Sequence, residues 1–360
     1  MARPPRHPRS PTREMIMYRR FSAVLPLLGT ALLLSACTSG GDIPPLADTA
    51  QSTGTGQVPA GSAIEQSIPE RDRDTAEAYA AFRAIDACAL HDVEAATAVT
   101  GDKGDEITPD QDGLNGCILR LHKSEFESTW TVFLEVGILF PPELRHEAAP
   151  ETVGGMAVFT REDERGCALS KPLDDNHAIE VRTSTYSGAT KKPCDVLREY
   201  VGKLGEVWND PPRRDSGRTS PRLSLADVDP CVAASAVLDG VGPSAQLSPK
   251  SVFACSAVPA SAAPSKKSTD IEIALIMDED PASLVAAGAR EVTIGSHRAV
   301  LIERATGCLS YVVWEPETEV VVDRQSGDAL PSLQQIRVRA GTCEAAQAAA
   351  EKVLAKIGRR

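Results

Sequence analysis

Three stretches of the chain alternate apolar and polar residues over short distances and are rich in β-branched side chains. They cover residues 130–139, 269–276 and 319–323. Every second side chain of a strand lies on the same face, so this alternation is typical of strands with one buried face. The pattern therefore predicts three strands that each pack one face on a core.

Helix signals occur between and after these strands. Asp229 precedes Pro230, which combines a capping side chain with a first-turn proline, and Gly240 follows as a stop signal. Residues 343–357 are rich in alanine and carry their larger apolar side chains on one side, as a helix that packs on a sheet requires. We expect one helix to begin at Pro230 and a closing helix to cover residues 343–357.

The same order of elements is predicted twice along the chain: helix, strands, short helix, strands, helix. Runs of strands bracketed by helices indicate an α+β fold with a mostly antiparallel sheet. The sequence thus predicts two tandem copies of such a sheet with flanking helices.

The spacing of eight cysteines supports the two copies. The gaps are 29, 50 and 27 residues in the first half and 24, 53 and 35 in the second. Short motifs also recur at matching places, such as Asp-Ala-Cys at 86–88 and Asp-Pro-Cys at 229–231. We interpret the halves as a tandem duplication of one domain of about 125 residues. The first repeat is assigned to residues 74–208, a polar, proline-rich linker to 209–222 and the second repeat to 223–360.

The amino terminus has the pattern of a secretory signal peptide. Arg19 and Arg20 precede an apolar stretch that is too short to span a bilayer. We therefore assign residues 1–36 to the signal peptide. Translation can begin at Met1, Met15 or Met17.

A lipobox ends this segment, and it consists of Leu34, Ser35, Ala36 and Cys37. Its small residues fit the lipoprotein signal peptidase, and the thiol of Cys37 is the lipid acceptor. Residues 38–73 are polar and lack apolar periodicity, so 37–73 is predicted to be a lipidated cysteine with a flexible tether, whose reach is about 30 to 35 Å. We expect the protein to be held by lipid on the outer face of the bacterial cytoplasmic membrane.

Export implies disulfide bonds, because the compartment outside the cytosol is oxidising. The cysteines that remain after Cys37 are even in number, and they are Cys88, Cys117, Cys167, Cys194, Cys231, Cys255, Cys308 and Cys343. Their gaps are too long for a zinc site, so we predict four bridges and no metal. Four cysteines in one repeat allow three pairings. We favour the sequential one, in which neighbouring cysteines pair.

Charge limits the partners of the folded part. The net charge is −12, and the first 36 residues carry +5, so the remainder carries about −17. Such a polyanion is repelled by nucleic acid and by anionic lipid headgroups. We expect no nucleic acid partner, and contact with the membrane only through the lipid on Cys37.

Catalytic signatures do not occur in the sequence. There is no serine three residues before a lysine, no Gly-x-Ser-x-Gly, no His-Glu-x-x-His, and no glycine-rich phosphate loop. His91, Asp92 and Glu94 are interpreted as a solvated helix face, and His297 as a surface histidine. The acidic runs at 102–106 and 110–113 are interpreted as turns rather than calcium loops.

Three tryptophans are interpreted as core residues, although one at an exposed edge could anchor a partner. They are Trp130, Trp208 and Trp314.

These features together resemble a family of actinobacterial lipoproteins of the domain-of-unknown-function type. The resemblance is carried by the lipobox, the polar tether, Asp-Pro-Cys at 229–231, Gly-Cys at 307–308 and the helix that Cys343 begins. More loosely, four cysteines in an α+β domain are similar to the extracellular sensor domains of some mycobacterial serine/threonine kinases. The resemblance implies a fold but no reaction.

The sequence therefore favours a non-catalytic binding, sensor or adaptor module without a cofactor, whose partner is an envelope protein or a small ligand. A carrier of lipid or another apolar molecule is the alternative. An unrecognised cell-wall hydrolase is the third candidate.

Overall fold

The structure is a computed structural model, and it describes residues 63–110, 113–124, 127–162, 166–185, 191–214, 223–260, 270–314, 320–323 and 329–358. The described residues belong to one compact unit. The signal peptide, the lipobox and Cys37 lie outside the described residues. Within the described residues, no helix has both the length and the apolar character needed to cross a bilayer.

Nine α-helices are present in the described residues. They are α1 (Ala63–Ser67), α2 (Glu70–Arg83), α3 (Val93–Thr100), α4 (Pro142–Arg145), α5 (Pro193–Lys203), α6 (Gly205–Asn209), α7 (Pro230–Ala234), α8 (Leu238–Val241) and α9 (Cys343–Ile357). In the same part of the chain, 3-10 helices cover Cys88–Leu90, Ser224–Asp227, Ser235–Val237 and Pro281–Ala287. The predicted closing helix is confirmed over its whole length. The helix predicted from Pro230 begins there but changes to 3-10 geometry at Ser235.

Fifteen strands are present in the same part of the chain. The first seven are β1 (Lys103–Pro109), β2 (Gly116–Ser124), β3 (Glu127–Leu139), β4 (Ala149–Val153), β5 (Met156–Glu162), β6 (Gly166–Pro172) and β7 (His177–Thr185). The others are β8 (Gln246–Ser251), β9 (Ala254–Val258), β10 (Ile271–Glu279), β11 (Arg290–Ile294), β12 (His297–Arg304), β13 (Gly307–Val313), β14 (Val320–Asp323) and β15 (Ala329–Ala340). The three strands predicted from alternation correspond to β3, β10 and β14.

The strands form two antiparallel sheets with corresponding strand orders. The first sheet has the order β1-β2-β3-β7-β6-β5-β4. The second has the order β8-β9-β10-β15-β13-β12-β11, and β14 pairs with β15 alone. The predicted α+β class with mostly antiparallel sheets is therefore confirmed.

Helices cover one face of each sheet. In the first half α3 and α5 pack on the sheet, and in the second half α7 and α9 do so. Leu134 and Val181 are cross-strand neighbours on the covered face of the first sheet, as Ile273 and Val338 are in the second, and all four are buried. The opposite face of each sheet is partly exposed, and we call it the open face.

Four disulfide bonds connect helices to strands. They join Cys88 to Cys117, Cys167 to Cys194, Cys231 to Cys255 and Cys308 to Cys343. The predicted bonds are confirmed, and their pairing is the sequential one. Each closes a loop of 24 to 35 residues. The bridges therefore fasten the opening and closing helical segments of each half to its sheet.

The last residues of the predicted tether are helical, which differs from the expectation. α1 and the start of α2 fall within 37–73. The tyrosine and phenylalanine of α2, Tyr79 and Phe82, are buried, so the helix has an apolar face that a solvated tether would lack. The first turn of α2 is polar, so the sequence alone does not indicate an apolar face there.

α2 packs at the junction between the halves. Arg83, its last residue, pairs with Asp229, with Nη2 2.6 Å from Oδ2, and donates from Nη1 to the carbonyl oxygen of Val252 at 3.0 Å. Phe82 lies edge-on to the ring of His177, with 5.3 Å between ring centroids. The apolar core is continuous through both halves.

The part of the predicted linker that the structure describes is hydrogen-bonded to the first half. Asp86 donates its backbone N–H to Pro212 at 2.8 Å. The side chain of Arg214 donates from Nε to the carbonyl oxygen of Arg83 at 3.0 Å, and it also bonds to that of Leu114. Residues 209–214 are thus bound rather than free.

Candidate functional site

A cavity of about 270 Å³ lies where residues of both halves meet, and we call it the inter-sheet cleft. It is open to solvent. Its polar lining comes from Tyr79, Asn115, Glu135, Lys250, Ser251 and Arg337, and its apolar lining includes Ile138, Leu139, Val252, Phe253, Leu275 and Ile276. One wall belongs to β3 and the other to β8, β9, β10 and β15.

Glu135 is the acidic group of the cleft. It lies on β3 directly opposite Glu180 of β7, and its Oε1 is 3.5 Å from Asn115 Nδ2. Burial, together with the charges of Asp110 and Glu180, raises the pKa of Glu135, and the charge of Arg182 only partly offsets this. Like charges on directly opposed strand residues destabilise a sheet. A cation placed in the cleft beside Glu135 would relieve that repulsion.

Glu180 is held by its own partners. Its Oε2 accepts from Arg161 Nη2 at 2.5 Å and from Ser170 Oγ at 3.1 Å. Only 7% of Glu180 is exposed. Because Glu180 is already satisfied, Glu135 is the carboxylate that can interact with a ligand.

An arginine lies beside this pair on the open face of the first sheet. Arg182 stands over the ring of Phe133, with 5.4 Å from its Cζ to the ring centroid. Arg182 and Phe133 are also cross-strand neighbours. The open face therefore carries a charged row that continues from the cleft.

The basic wall of the cleft comes from the second half. Arg337 lies on β15 opposite Ala274 of β10, and one of its nitrogens is 4.0 Å from Glu272. Lys250 is exposed on β8, with Nζ 3.0 Å from Ser248 Oγ. Neither contact satisfies the donors of these cations fully, so both can bind an anionic group.

The charges on the two sheets differ at corresponding positions. Leu134 and Ile273 face the disulfide cysteines of the neighbouring strands. The next residue along is Glu135 in β3 and Ala274 in β10, and their cross-strand partners are Glu180 and Arg337. The first half therefore contributes an acidic side chain to the cavity from β3, and the second half contributes a basic one from β15.

A bulge in β3 shapes the floor of the cleft. Gly137 has a φ of +77° and lies where the pairing of β3 with β7 shifts register. A Cβ atom at this position would be 2.6 Å from Val252 Cγ2 and 2.7 Å from Phe82 Cδ2. The glycine thus permits the close approach of the two halves. Leu139, two residues on, is 63% exposed and lines the cleft.

A second, wider concavity of about 810 Å³ is lined by residues of β3, β7, β6, β5 and β4 of the first sheet. Its lining includes Phe133, Glu180 and Arg182, so it continues the charged row described above. Arg198 of α5 also lines it and pairs with Glu151, with Nε 2.9 Å from Oε2. Ion pairs already hold Arg161, Glu180 and Arg198 of this concavity, so the inter-sheet cleft is the stronger candidate.

Asp92 and Glu94 are exposed, as the predicted solvated helix face requires, but the prediction is wrong for His91. It is buried, with Nδ1 3.1 Å from Tyr200 Oη and Nε2 3.3 Å from the carbonyl oxygen of Cys117. Burial lowers the pKa of His91 to about 4. Asp92 instead caps α3 by accepting from the N–H of Ala95 at 2.8 Å. This pair is structural.

The remaining sequence candidates are also part of the framework. His297 is half-buried and stacks on Trp314, with 5.6 Å between ring centroids. Trp130 and Trp208 are core residues, as predicted, whereas Trp314 is half-buried. Within the residues that the structure describes, no group of three acidic, histidine or cysteine side chains could hold a metal ion.

Sequence reasoning missed Glu135, Arg337 and Lys250. Each is a charged residue in a strand segment, where the simplest interpretation is a solvated side chain. Only the packing of the two halves brings them to one cavity.

Comparison with protein-family models, with curated proteins and with solved structures finds no match for this chain. The function is therefore inferred from the geometry of the cleft and from the sequence.

Proposed function

We propose that this protein is an exported lipoprotein that binds a small polar ligand in the inter-sheet cleft. One observation carries the proposal: two halves with corresponding topology supply Glu135 from one side and Arg337 with Lys250 from the other to a single open cavity. Concave sites with a few convergent polar groups on an apolar lining are typical of small-ligand sites.

Anchoring rests on the sequence of the first 37 residues. The lipobox makes Cys37 the lipid acceptor, and the protein is displayed on the outer face of the cytoplasmic membrane. Metabolic labelling with a radioactive fatty acid tests this step. The label should enter the wild-type protein and be absent from a Cys37→Ser variant that is found in the soluble fraction. A labelled Cys37→Ser variant would overturn the assignment.

We also propose that the halves arose by tandem duplication. The strand orders correspond when the second sheet is followed from β8. Asp86 and Asp229 each accept from the N–H two residues ahead, that of a disulfide cysteine, at 3.1 and 2.7 Å. An experimental structure in which the two halves failed to superpose over their seven common strands would contradict this origin.

A lipid carrier is less well supported. Such a protein needs an enclosed apolar chamber, whereas the cleft is open and has charged groups on both walls. Burying an acyl chain there would desolvate Glu135 and Arg337 without giving either a partner, and unpaired buried charge is costly.

Native mass spectrometry of the whole lipoprotein, extracted from membranes in mild detergent, tests the binding function. Leu139→Arg places a bulky charge in the cleft, and Val285→Arg is the matched control, since Val285 is also exposed, at 38%, and lies outside the cleft. A bound small polar molecule should be found with the wild type and the control and be lost from Leu139→Arg.

Three results would overturn the proposal. The first is equal occupancy in all three proteins, and the second is a bound lipid in place of a polar molecule. The third is turnover of envelope substrates with a defined pH profile that Glu135→Gln abolishes, since that would make the protein an enzyme.

A further inference from the structure

The separation of charge in the inter-sheet cleft restricts the chemistry of its ligand. Glu135 contributes a carboxylate from β3, and Arg337 contributes a guanidinium from β15. Arg337 approaches Glu272 at 4.0 Å, while Glu135 interacts with Asn115. The acid and the bases of the cleft thus interact with groups of their own half.

A ligand with one charge would satisfy only one wall. An anion at Arg337 and Lys250 would leave Glu135, which lies opposite Glu180, without a cationic partner from the ligand. An ammonium group at Glu135 would leave the two basic side chains exposed to solvent. A molecule with both charges can form charge-assisted hydrogen bonds with both walls, which are the stronger kind.

The cleft also contains apolar surface between its charged walls. Leu139 is 63% exposed, the largest exposure among the large apolar side chains that the structure describes, and Ile138 and Ile276 lie nearby in the lining. Exposed apolar area in a cavity favours a ligand that covers it. The volume of about 270 Å³ suits a molecule of about the size of a dipeptide.

We infer that the cleft binds a zwitterionic ligand of dipeptide size, with its ammonium group at Glu135, its carboxylate at Arg337 and Lys250, and an apolar side chain against Leu139. This inference rests on the proposed binding function and names its ligand class. Burial and neighbouring acidic groups raise the pKa of Glu135, and an ammonium group beside it would oppose that shift by favouring the charged carboxylate.

Isothermal titration calorimetry with three related peptides tests the assignment on the whole lipoprotein in detergent. The probes are leucyl-leucine, its N-acetylated form and its C-terminal amide. The free dipeptide should bind, and each capped form should bind at least tenfold more weakly, because a site that pairs with a charged group rejects the analogue without it. This comparison uses only the wild-type protein, so it does not depend on the folding of a variant.

Two variants test which wall of the cleft binds which charged group of the ligand. Glu135→Gln and Arg337→Gln should each weaken binding of the free dipeptide at least tenfold and lose the discrimination against one capped form. Arg339→Gln is the matched control, because Arg339 lies two residues along the same strand and pairs with Glu272 at 2.7 Å outside the cleft lining. It should bind like the wild type.

Undetectable binding of the free dipeptide, or equal binding of the capped forms, would overturn the zwitterion assignment. If native mass spectrometry still found a polar ligand that Leu139→Arg removes, the binding function would stand and only the ligand class would fall. If native mass spectrometry found no polar ligand, both the binding function and the ligand class would be contradicted.

Discussion

Arg83 and Asp229 form an ion pair across the junction of the two halves, with Nη2 2.6 Å from Oδ2. The arginine side chain is 11% exposed and the aspartate 25%. Asp229 also caps α7 by accepting from the N–H groups of Cys231 and Val232. One contact therefore joins α2, which precedes the first sheet, to the start of the second half.

Replacing Arg83 by methionine should lower the free energy of unfolding by about 2 kcal/mol, because it leaves Asp229 partly buried without its cation. Urea denaturation measures the change. Arg71→Met is the control: that side chain is 82% exposed, so its loss should change stability by less than about 0.5 kcal/mol. Equal small effects of both substitutions would show that the ion pair does not hold the halves together.

His91 should make stability depend on pH. Burial lowers the pKa of His91 to about 4 in the folded protein, whereas an unfolded histidine has a pKa of about 6.5. The unfolded chain therefore takes up the proton first, and stability falls as pH decreases from about 6.5 to about 4. The loss over this range is about 3 kcal/mol.

His91→Gln removes this dependence. The variant should be less stable than the wild type at pH 7, because the hydrogen bonds to Tyr200 and Cys117 change, and the difference should shrink by about 3 kcal/mol on acidification to pH 4. Urea denaturation over this pH range checks it. The exposed His146→Gln should follow the wild-type curve. A stability difference between His91→Gln and wild type that stayed constant with pH would contradict the buried neutral imidazole.

The glycine before a disulfide cysteine allows close strand contact in each half. A Cβ atom on Gly166 would clash with the carbonyl oxygen of Thr183, and one on Gly307 with that of Ala340. Gly166→Ala should cost about 2 kcal/mol, since backbone must move to admit the methyl group.

The control for Gly166→Ala is a glycine in a helix, Gly202. A Cβ on Gly202 of α5 would meet Val153 Cγ1 at an ordinary 3.8 Å. Gly202→Ala should therefore raise stability, by about 0.5 to 1 kcal/mol, through helix propensity. Thermal unfolding of both variants measures the contrast, and a neutral Gly166→Ala would refute the proposed clash.

Removing a disulfide should cost about 3 kcal/mol. The double substitution Cys231→Ala with Cys255→Ala opens a loop of 24 residues, and the chain-entropy model assigns that amount to such a loop. Urea denaturation under oxidising conditions should show the loss. In excess reductant the wild type and the variant should converge, and a persistent gap would mean that packing of the thiols rather than the bridge is responsible.

The sequence was sufficient for features fixed by local chemistry. Residues 343–357 form the helix that their apolar spacing predicts, and Asp229 begins a helix as its side chain and the following proline require. The cysteine pairs follow the order along the chain because each joins a helical segment to a strand of the same sheet.

Features that depend on packing between distant segments could not be predicted. The bulge at Gly137 matters because it allows Val252 of the other half to pack closely against the backbone. The sequence does not show that contact. Glu135 and Arg337 resemble solvated strand residues until the two sheets are brought together. Similarly, the burial of His91 depends on Tyr200, more than 100 residues away.

Photo-crosslinking in the native cell tests the central claim most directly, namely that a membrane-anchored protein holds a small ligand in the inter-sheet cleft. A photoreactive phenylalanine analogue replaces Leu139 in the full-length protein, and the same analogue at Val285 serves as the control. The proposed function predicts a small-molecule adduct on the peptide containing position 139, in the membrane fraction, and none at position 285. Equal labelling at both positions, no adduct at position 139, or a protein that retains residues 1–36 in the soluble fraction would contradict it.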